Sequence, residues 1–194
     1  MQAVIFDLFN TLVFLQTDSR PFYRLAKKST KMSVRHALQL SLTRNYPTLQ
    51  EYALDVCAEE SFDQTSLEKH LLHDLASLKL YDDVVPELNA LKSRGVMLGL
   101  VSNIASIYIP SVERTGLMSL FDSVVFSCDA GYIKPEPEIY YSALDELGLK
   151  PSDALFVGDN FRADVKGPRG VGMHAIQIKR GKRTNLNNDS IARL

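Results

Sequence analysis

The strongest constraint on the fold is an alternation of strand and helix signals that begins near residue 84. Short apolar, partly β-branched runs are separated by segments whose apolar residues recur at helical spacing. Such alternation indicates a parallel sheet with right-handed crossovers. An earlier apolar run ends at Asp7 and adds a first buried strand. The strands are predicted at residues 3–6, 96–101, 123–127, 154–157 and 174–178, and the helices between them at about 84–94, 105–115 and 136–147, with a last one after residue 158.

Residues 20–80 have a different, helical character. Two Thr-x-x-Glu segments, at Thr48 and Thr65, match the sequence pattern of a helix-capping box. No convincing strand interrupts this stretch. Helical spacing is clearest in Leu67, Leu71, Leu75 and Leu78. We therefore expect an α/β fold: a Rossmann-like parallel-sheet core formed by residues 1–14 and 84–194, with an inserted helical cap at residues 15–83.

Composition narrows the range of partners. The chain of 194 residues has 22 basic and 23 acidic side chains, which is too balanced for nucleic acid or an anionic membrane to be its main partner. No apolar run approaches the ~20 residues of a membrane span. Cys57 and Cys128 lie far apart, without Cys-x-x-Cys spacing or clustered histidines, so neither a disulfide framework nor a zinc site is indicated. We expect them to be reduced cysteines of a cytoplasmic protein. These features favour a small-molecule partner, whereas the oligomeric state stays open.

Charge is distributed unevenly along the predicted cap. Residues 19–50 carry seven basic side chains and no acid, whereas residues 51–83 carry nine acids. One interpretation is two solvated helix faces that attract each other. The other is that early arginines reach over the active site and hold an anionic group of the substrate, with Arg20, Arg24 and Arg35 as candidates. Residues 179–194 are basic and polar, and we expect them to form a frayed tail.

Polar residues follow several predicted strands at the edge where parallel strands end and ligands bind. Each has a structural alternative: Asp7 could cap a loop, and Ser102 with Asn103 could cap the next helix. Asp159 and Asp164, together with Asp7, would supply three hard oxygen ligands. Three facing carboxylates are costly unless a cation or a proton is present. Lys134 precedes a predicted helix, where a cation is unfavourable without an anionic partner.

In this order and spacing, these residues resemble the motifs of haloacid dehalogenase-like hydrolases, over about residues 1–180. The matching positions are Asp7 with Thr11, then Ser102, then Lys134, and finally Gly158, Asp159 and Asp164. The resemblance implies an α/β core with a small helical cap that closes the site and selects substrates.

The resemblance also implies roles for individual residues. Asp7 would attack phosphorus and form an aspartyl-phosphate, while Ser102 and Lys134 stabilise the transferring oxygens. The cofactor would be Mg²⁺, held by Asp7, the backbone carbonyl of Phe9, Asp159 and Asp164. The residues expected to contact a small anionic substrate are Phe9, Thr11 and Asn103, with Arg20, Arg24 and Arg35 of the cap.

Phe9 departs from the phosphatase pattern. Phosphatases of this family usually have a second aspartate at this position, which protonates the leaving alcohol and activates water; a phenyl ring cannot transfer a proton. That role contributes typically ~10² to 10⁴ in rate. An aromatic residue here resembles the 2-haloacid dehalogenases, in which Asp7 would attack carbon and displace halide. Gly158 and Asp159 favour the metal-dependent branch instead, because dehalogenases usually have Ser-Asn there.

Three functions therefore remain open. The first is a Mg²⁺-dependent hydrolase of a small phosphorylated metabolite, weakened or restricted to good leaving groups, or using His36, His70 or His73 of the cap as its acid. The second is a metal-independent 2-haloacid dehalogenase. The third is a catalytically weak binding or regulatory protein that retains the fold.

Overall fold

The computed structural model describes residues 1–57 and 64–181; residues 58–63 of the predicted cap and 182–194 of the predicted core and tail lie outside the described residues. The strands are β1 (Ala3–Phe6), β2 (Val13–Leu15), β3 (Leu78–Leu80), β4 (Met97–Ser102), β5 (Ser123–Phe126), β6 (Ala154–Gly158) and β7 (His174–Gln177). The α-helices are α1 (Pro21–Lys27), α2 (Val34–Thr43), α3 (Leu49–Val56), α4 (Gln64–Ala76), α5 (Val84–Ser93), α6 (Ile109–Glu113), α7 (Ser127–Ala130), α8 (Pro137–Leu147) and α9 (Gly167–Gly170).

A five-stranded parallel sheet in the order β5-β4-β1-β6-β7 forms the centre of the fold. The predicted α/β class is therefore confirmed. The first strand lies in the middle: Phe6 is opposite Leu100 of β4 on one side and Val157 of β6 on the other. Consequently the residues that follow β1, β4 and β6 meet at one edge of the sheet.

Both faces of the sheet are covered, which explains why its strands are apolar runs without polar alternation. On one face, Val4 and Phe6 pack in a cluster that includes Leu88 of α5. On the other, Ala3 and Ile5 pack in a cluster with residues of α8. Burying a side chain of leucine or phenylalanine size contributes roughly 1.5–3 kcal/mol, so these two layers supply much of the stability of the core.

The helices between β2 and β3 have an apolar cluster of their own. Tyr52 and Leu25 are fully buried in it, and Ala105 from the loop after β4 belongs to the same cluster. Thr48 caps α3 as its sequence predicts, because its hydroxyl oxygen accepts from the Glu51 amide at 3.2 Å. Thr65 instead lies within α4.

The expectation that no strand interrupts residues 20–80 is wrong at one point. Leu78 belongs to β3, which pairs antiparallel with β2 so that Val13 is opposite Leu80 and Leu15 is opposite Leu78. The helical spacing ends one residue earlier, where Ser77 donates its hydroxyl to the backbone oxygen of Asp74. This two-stranded ribbon joins both ends of the helical insertion to the loop after β1.

Two other helices differ from their predicted forms. The segment predicted at about 105–115 is a 3₁₀ turn at Ser106–Tyr108 followed by the short α6, which has Pro110 in its first turn. The last crossover begins as a π-helical turn at Phe161–Lys166 and continues into α9. Among the described residues, no helix has the length and apolarity that crossing a membrane requires.

Candidate active site

Asp7 follows β1 and is held by contacts on both carboxylate oxygens. One accepts from the Lys134 ammonium at 2.6 Å and the other from the Thr11 hydroxyl at 3.0 Å. Thr11 reaches back because the chain turns sharply after Leu8: Asn10 has a left-handed φ of 58°, and the Leu12 and Val13 amides donate to the Leu8 carbonyl. The turn therefore places Thr11 beside the strand end without regular secondary structure.

Lys134 connects two of the carboxylates from the loop between α7 and α8. Its side chain is 2% exposed, and its ammonium lies 2.6 Å from Asp7 and 2.8 Å from Asp164. The Asn103 side chain fixes the lysine backbone at both ends, since its oxygen accepts from the Lys134 amide at 2.7 Å and its NH₂ donates to the Lys134 carbonyl at 3.0 Å. Asn103 thus positions Lys134, a role that its sequence context alone does not indicate.

Asp164 is fully buried directly behind β6, and a glycine makes room for it. A Cβ on Gly158 would overlap the Asp164 carboxyl group. The second oxygen of this carboxyl accepts from the Asn160 amide at 2.8 Å, while the Asn160 side chain caps the π-helical turn. Asp159 lies between these residues and is partly buried.

The three aspartates form a crowded anionic cluster: each offers an oxygen, and all three oxygens lie within 4.8 Å of one another. Fully ionised, they carry three negative charges against one positive charge on Lys134. Burial, followed by repulsion from Asp7 and Asp164, raises the pKa of Asp159 to about 6. Burial also raises the pKa of Asp7, although Lys134 opposes the shift. For Lys134, burial is outweighed by Asp7 and Asp164, which raise the pKa of its ammonium.

These residues fit a hard divalent cation. The donors are oxygens, which Mg²⁺ prefers, and the cluster has an excess of two negative charges that a dication would neutralise. Burial and then repulsion from Asp7 and Asp164 raise the pKa of Asp159, and a bound cation would offset both effects.

Ser102, at the end of β4, is 1% exposed, and its hydroxyl has no hydrogen-bond partner within residues 1–57 and 64–181. A buried hydroxyl without a partner costs about 1–3 kcal/mol. A ligand oxygen at this edge of the sheet would satisfy it.

Arg180 supports the turn after β1 from the far end of the chain. Its guanidinium donates from Nε and Nη2 to the Thr11 carbonyl, at 3.0 and 2.7 Å, and from Nη1 to both oxygens of Asp83. The side chain is 8% exposed and lies over the Tyr81 ring. The expectation that the tail is frayed from residue 179 is therefore wrong at Arg180, because composition does not reveal a long-range contact.

A pocket of about 450 Å³ opens between the sheet edge and the insertion. It borders the site through Phe9, Asn10 and Asn103. The remaining lining residues are Leu15, Asp18, Phe22, Leu38, Ser41, Leu42, Ile104, Ala105 and Tyr108.

The structure does not bring the three candidate arginines of the cap to this pocket. Arg20 is exposed and pairs with Asp18 at 3.2 Å, while Arg24 and Arg35 are exposed on α1 and α2. The histidines His36, His70 and His73 are exposed and do not line the pocket either.

A parallel sheet whose strand ends gather three aspartates and a buried lysine has the arrangement of α/β proteins that bind ligands at that edge. The chain belongs to the haloacid dehalogenase-like hydrolases, whose family profile matches residues 1–172.

Its relatives include proteins with two different chemistries. A glyceraldehyde 3-phosphate phosphatase of Methanopyrus kandleri is 29% identical, over 98% of this chain and 91% of the relative. An (S)-2-haloacid dehalogenase of a Pseudomonas species is 28% identical, over 93% of this chain and 85% of the relative. The crystal structure of a HAD phosphatase from Thermococcus onnurineus has a TM-score of 0.64 and 26% identity, covering 98% and 92% of the two chains. Because both chemistries occur at similar identity, the site residues must distinguish them.

Proposed function

We propose that the protein is a Mg²⁺-dependent phosphatase that acts on a small phosphorylated metabolite through an aspartyl-phosphate at Asp7. The observation that carries the proposal is the cluster of Asp7, Asp159 and Asp164 around the buried ammonium of Lys134. Asp159 is the decisive member, because a metal-independent reaction would not require a third carboxylate in so unfavourable an environment.

The reaction has two displacements. In the first, a carboxylate oxygen of Asp7 attacks phosphorus, and the bond from phosphorus to the leaving oxygen breaks. In the second, water attacks phosphorus, the bond from phosphorus to the Asp7 oxygen breaks, and the water proton passes to solvent. Both steps free a stable anion, and Asp7 returns to its initial state.

The residues around Asp7 would control charge during these steps. Mg²⁺ held by Asp7, Asp159, Asp164 and the Phe9 carbonyl would reduce repulsion between the carboxylate and the phosphoryl group. Ser102 would donate its unpartnered hydroxyl to a phosphoryl oxygen, and Lys134 would stabilise the negative charge that develops on transfer. Thr11 and Asn103 would act on Asp7 and Lys134, which they hold in place.

Phe9 restricts the leaving group. Its ring is half-buried against Tyr108, with 6.0 Å between the ring centroids, and it has no proton to donate. Leaving groups that depart as stable anions need no such proton, so acyl phosphates and phosphate esters of acidic hydroxyls fit better than alkyl phosphates.

The first test compares turnover of acetyl phosphate and 4-nitrophenyl phosphate with and without Mg²⁺. Wild-type protein should hydrolyse both only with Mg²⁺, and Asp7→Asn should lower the rate by at least ~10³-fold, as expected for loss of a nucleophile. Asp145→Asn, on the exposed face of α8, is the matched control and should keep full activity. Hydrolysis that survives Asp7→Asn would contradict the proposal.

The second candidate, 2-haloacid dehalogenase, is favoured by Phe9 alone. Halide is a leaving group that needs no proton, so an aromatic residue at this position is compatible with it. Release of chloride from 2-chloropropionate, without Mg²⁺ and dependent on Asp7, would support this candidate. Absence of chloride under conditions in which phosphate is released would reject it.

Phe9→Asp distinguishes a weak enzyme from a binding protein. If only the proton donor is missing, this variant should hydrolyse alkyl phosphates about 10²-fold faster than wild type or more. Phe9→Asn serves as the control, because asparagine has the size of aspartate but no acidic proton. No gain in the Asp variant, together with no turnover by wild type, would favour a regulatory role.

A further inference from the structure

The pocket beside the site has the size and position of a compartment for the substrate's leaving group. Its volume of about 450 Å³ lies within the range of roughly 300–1,000 Å³ that small-molecule sites occupy. Phe9 and Asn103 belong both to its wall and to the surroundings of Asp7 and Lys134. A substrate whose phosphoryl group contacts Asp7 would therefore extend into it.

The walls of this pocket are mainly aromatic and aliphatic. Tyr108 is one of its lining residues, and its ring lies edge-on to Phe9 at 6.0 Å and tilted against Phe22 at 6.3 Å between centroids. The half-buried Leu38 and Leu42, on one face of α2, complete the side formed by the insertion. Such surfaces stabilise a flat apolar group by dispersion and by edge-to-face ring contacts.

Most polar side chains of the wall are already engaged with the protein. The Ser41 hydroxyl donates to the Leu38 carbonyl, and Asn103 holds the Lys134 backbone. Asp18 pairs with Arg20, which is exposed and outside the lining. No lysine, arginine or histidine is present among the lining residues that the structure describes. A second anionic group on the substrate would therefore lose its hydration here without gaining a positive partner.

We infer that the substrate is an aryl phosphate, in which the phosphoryl group is esterified to the oxygen of an apolar phenol, without a second anionic group. This inference rests on the proposed function and adds the chemical class of the leaving group. Two features agree on it: Phe9 has no proton to give to a poor leaving group, and the mainly aromatic and aliphatic walls of the pocket favour an apolar ring.

The test measures kcat/KM for phenyl phosphate, 2-naphthyl phosphate, 4-carboxyphenyl phosphate and acetyl phosphate with Mg²⁺. Phenol and 2-naphthol have similar acidity, so the naphthyl ester reports on apolar contact and should react about tenfold faster. The carboxylated ester has the more acidic phenol, yet it should react about tenfold slower than phenyl phosphate because the pocket lacks a cation. Acetyl phosphate reports on the chemistry at Asp7 without filling the pocket.

Two variants assign these preferences to the pocket. Leu42→Ala should reduce the preference for 2-naphthyl over phenyl phosphate severalfold, and Leu38→Arg should raise kcat/KM for the carboxylated ester relative to phenyl phosphate. Leu72, which is 64% exposed on α4, provides the matched controls Leu72→Ala and Leu72→Arg, which should change neither preference.

The outcomes distinguish a failure of the aryl-phosphate inference from a failure of the proposed phosphatase function. Turnover of acetyl phosphate that depends on Mg²⁺ and Asp7, combined with equal kcat/KM for the three aryl esters, would overturn the inference and leave the proposed function standing. Absence of turnover of all four compounds would overturn both. The expected order in wild type, with the naphthyl preference reduced in Leu42→Ala but kept in Leu72→Ala, would support the pocket as the site that selects an aryl group.

Discussion

Replacement of the buried lysine is the sharpest test of the electrostatics of the site. Lys134→Met keeps an apolar side chain of similar length but removes the ammonium located 2.6 Å from Asp7 and 2.8 Å from Asp164. At an effective dielectric constant of about 20, each contact corresponds to roughly 6 kcal/mol of attraction. The full sum would not appear as lost stability, because removal of the ammonium also relieves its own desolvation and because a carboxyl group can take up a proton.

Proton uptake sets the size of the effect. An aspartate with an ordinary pKa of 3.8 can be protonated at about pH 7 for roughly 4 kcal/mol, at 1.36 kcal/mol per pH unit. We therefore expect Lys134→Met to lower the free energy of unfolding by about 2–4 kcal/mol at about pH 7. The variant's folded state holds an extra proton, so the loss should shrink by about 1.4 kcal/mol per unit as pH falls toward 3.8, and grow as pH rises toward the raised pKa.

Urea unfolding followed by circular dichroism, without Mg²⁺ and at several pH values, measures this difference. The control is Lys69→Met, which removes an exposed lysine from α4 and should change stability by less than about 0.5 kcal/mol at every pH. A loss for Lys134→Met that is the same at all pH values, or no larger than in the control, would refute the argument that the ammonium compensates the carboxylates.

Three further substitutions have outcomes that follow from the site. Asp159→Asn should raise the stability of the metal-free protein by about 1 kcal/mol above pH 6, because the pKa of about 6 shows that the ionised form is disfavoured, and should abolish thermal stabilisation by Mg²⁺; a loss of stability would contradict this. Gly158→Ala should lower the free energy of unfolding by about 2 kcal/mol or more, measured with urea, and should remove most of the turnover. Gly170→Ala should be tolerated, because a Cβ there meets no atom within 4 Å. Arg180→Ala should cost about 2–3 kcal/mol and lower kcat, because it frees the Thr11 carbonyl; activity equal to wild type would show that the turn holds itself.

The sequence by itself was sufficient for the sheet and for the residues at its edge. Buried parallel strands are short apolar runs, and this signal is local, so the predicted strands coincide with β1 and β4–β7 to within one or two residues. Asp7, Lys134, Asp159 and Asp164 could be selected as candidates because the sequence motifs that contain them are also local. Their convergence follows from a general property of parallel sheets, in which the ends of all strands share one edge.

Contacts between distant segments were decided only by the tertiary structure. The pairing of β2 with β3 placed Leu78 in a strand although its spacing is helical, because pairing energy outweighs a weak local preference. Arg180 contacts Thr11 across 169 positions, and no composition or periodicity contains that information. The side-chain directions on α1 and α2, which leave Arg24 and Arg35 exposed and turn Leu38 and Leu42 to the pocket, depend on how the helices pack. The gathering of Asp7, Lys134, Asp159 and Asp164 is therefore indicated by local sequence, whereas the apolar character of the adjacent pocket arises from packing between segments far apart in the chain.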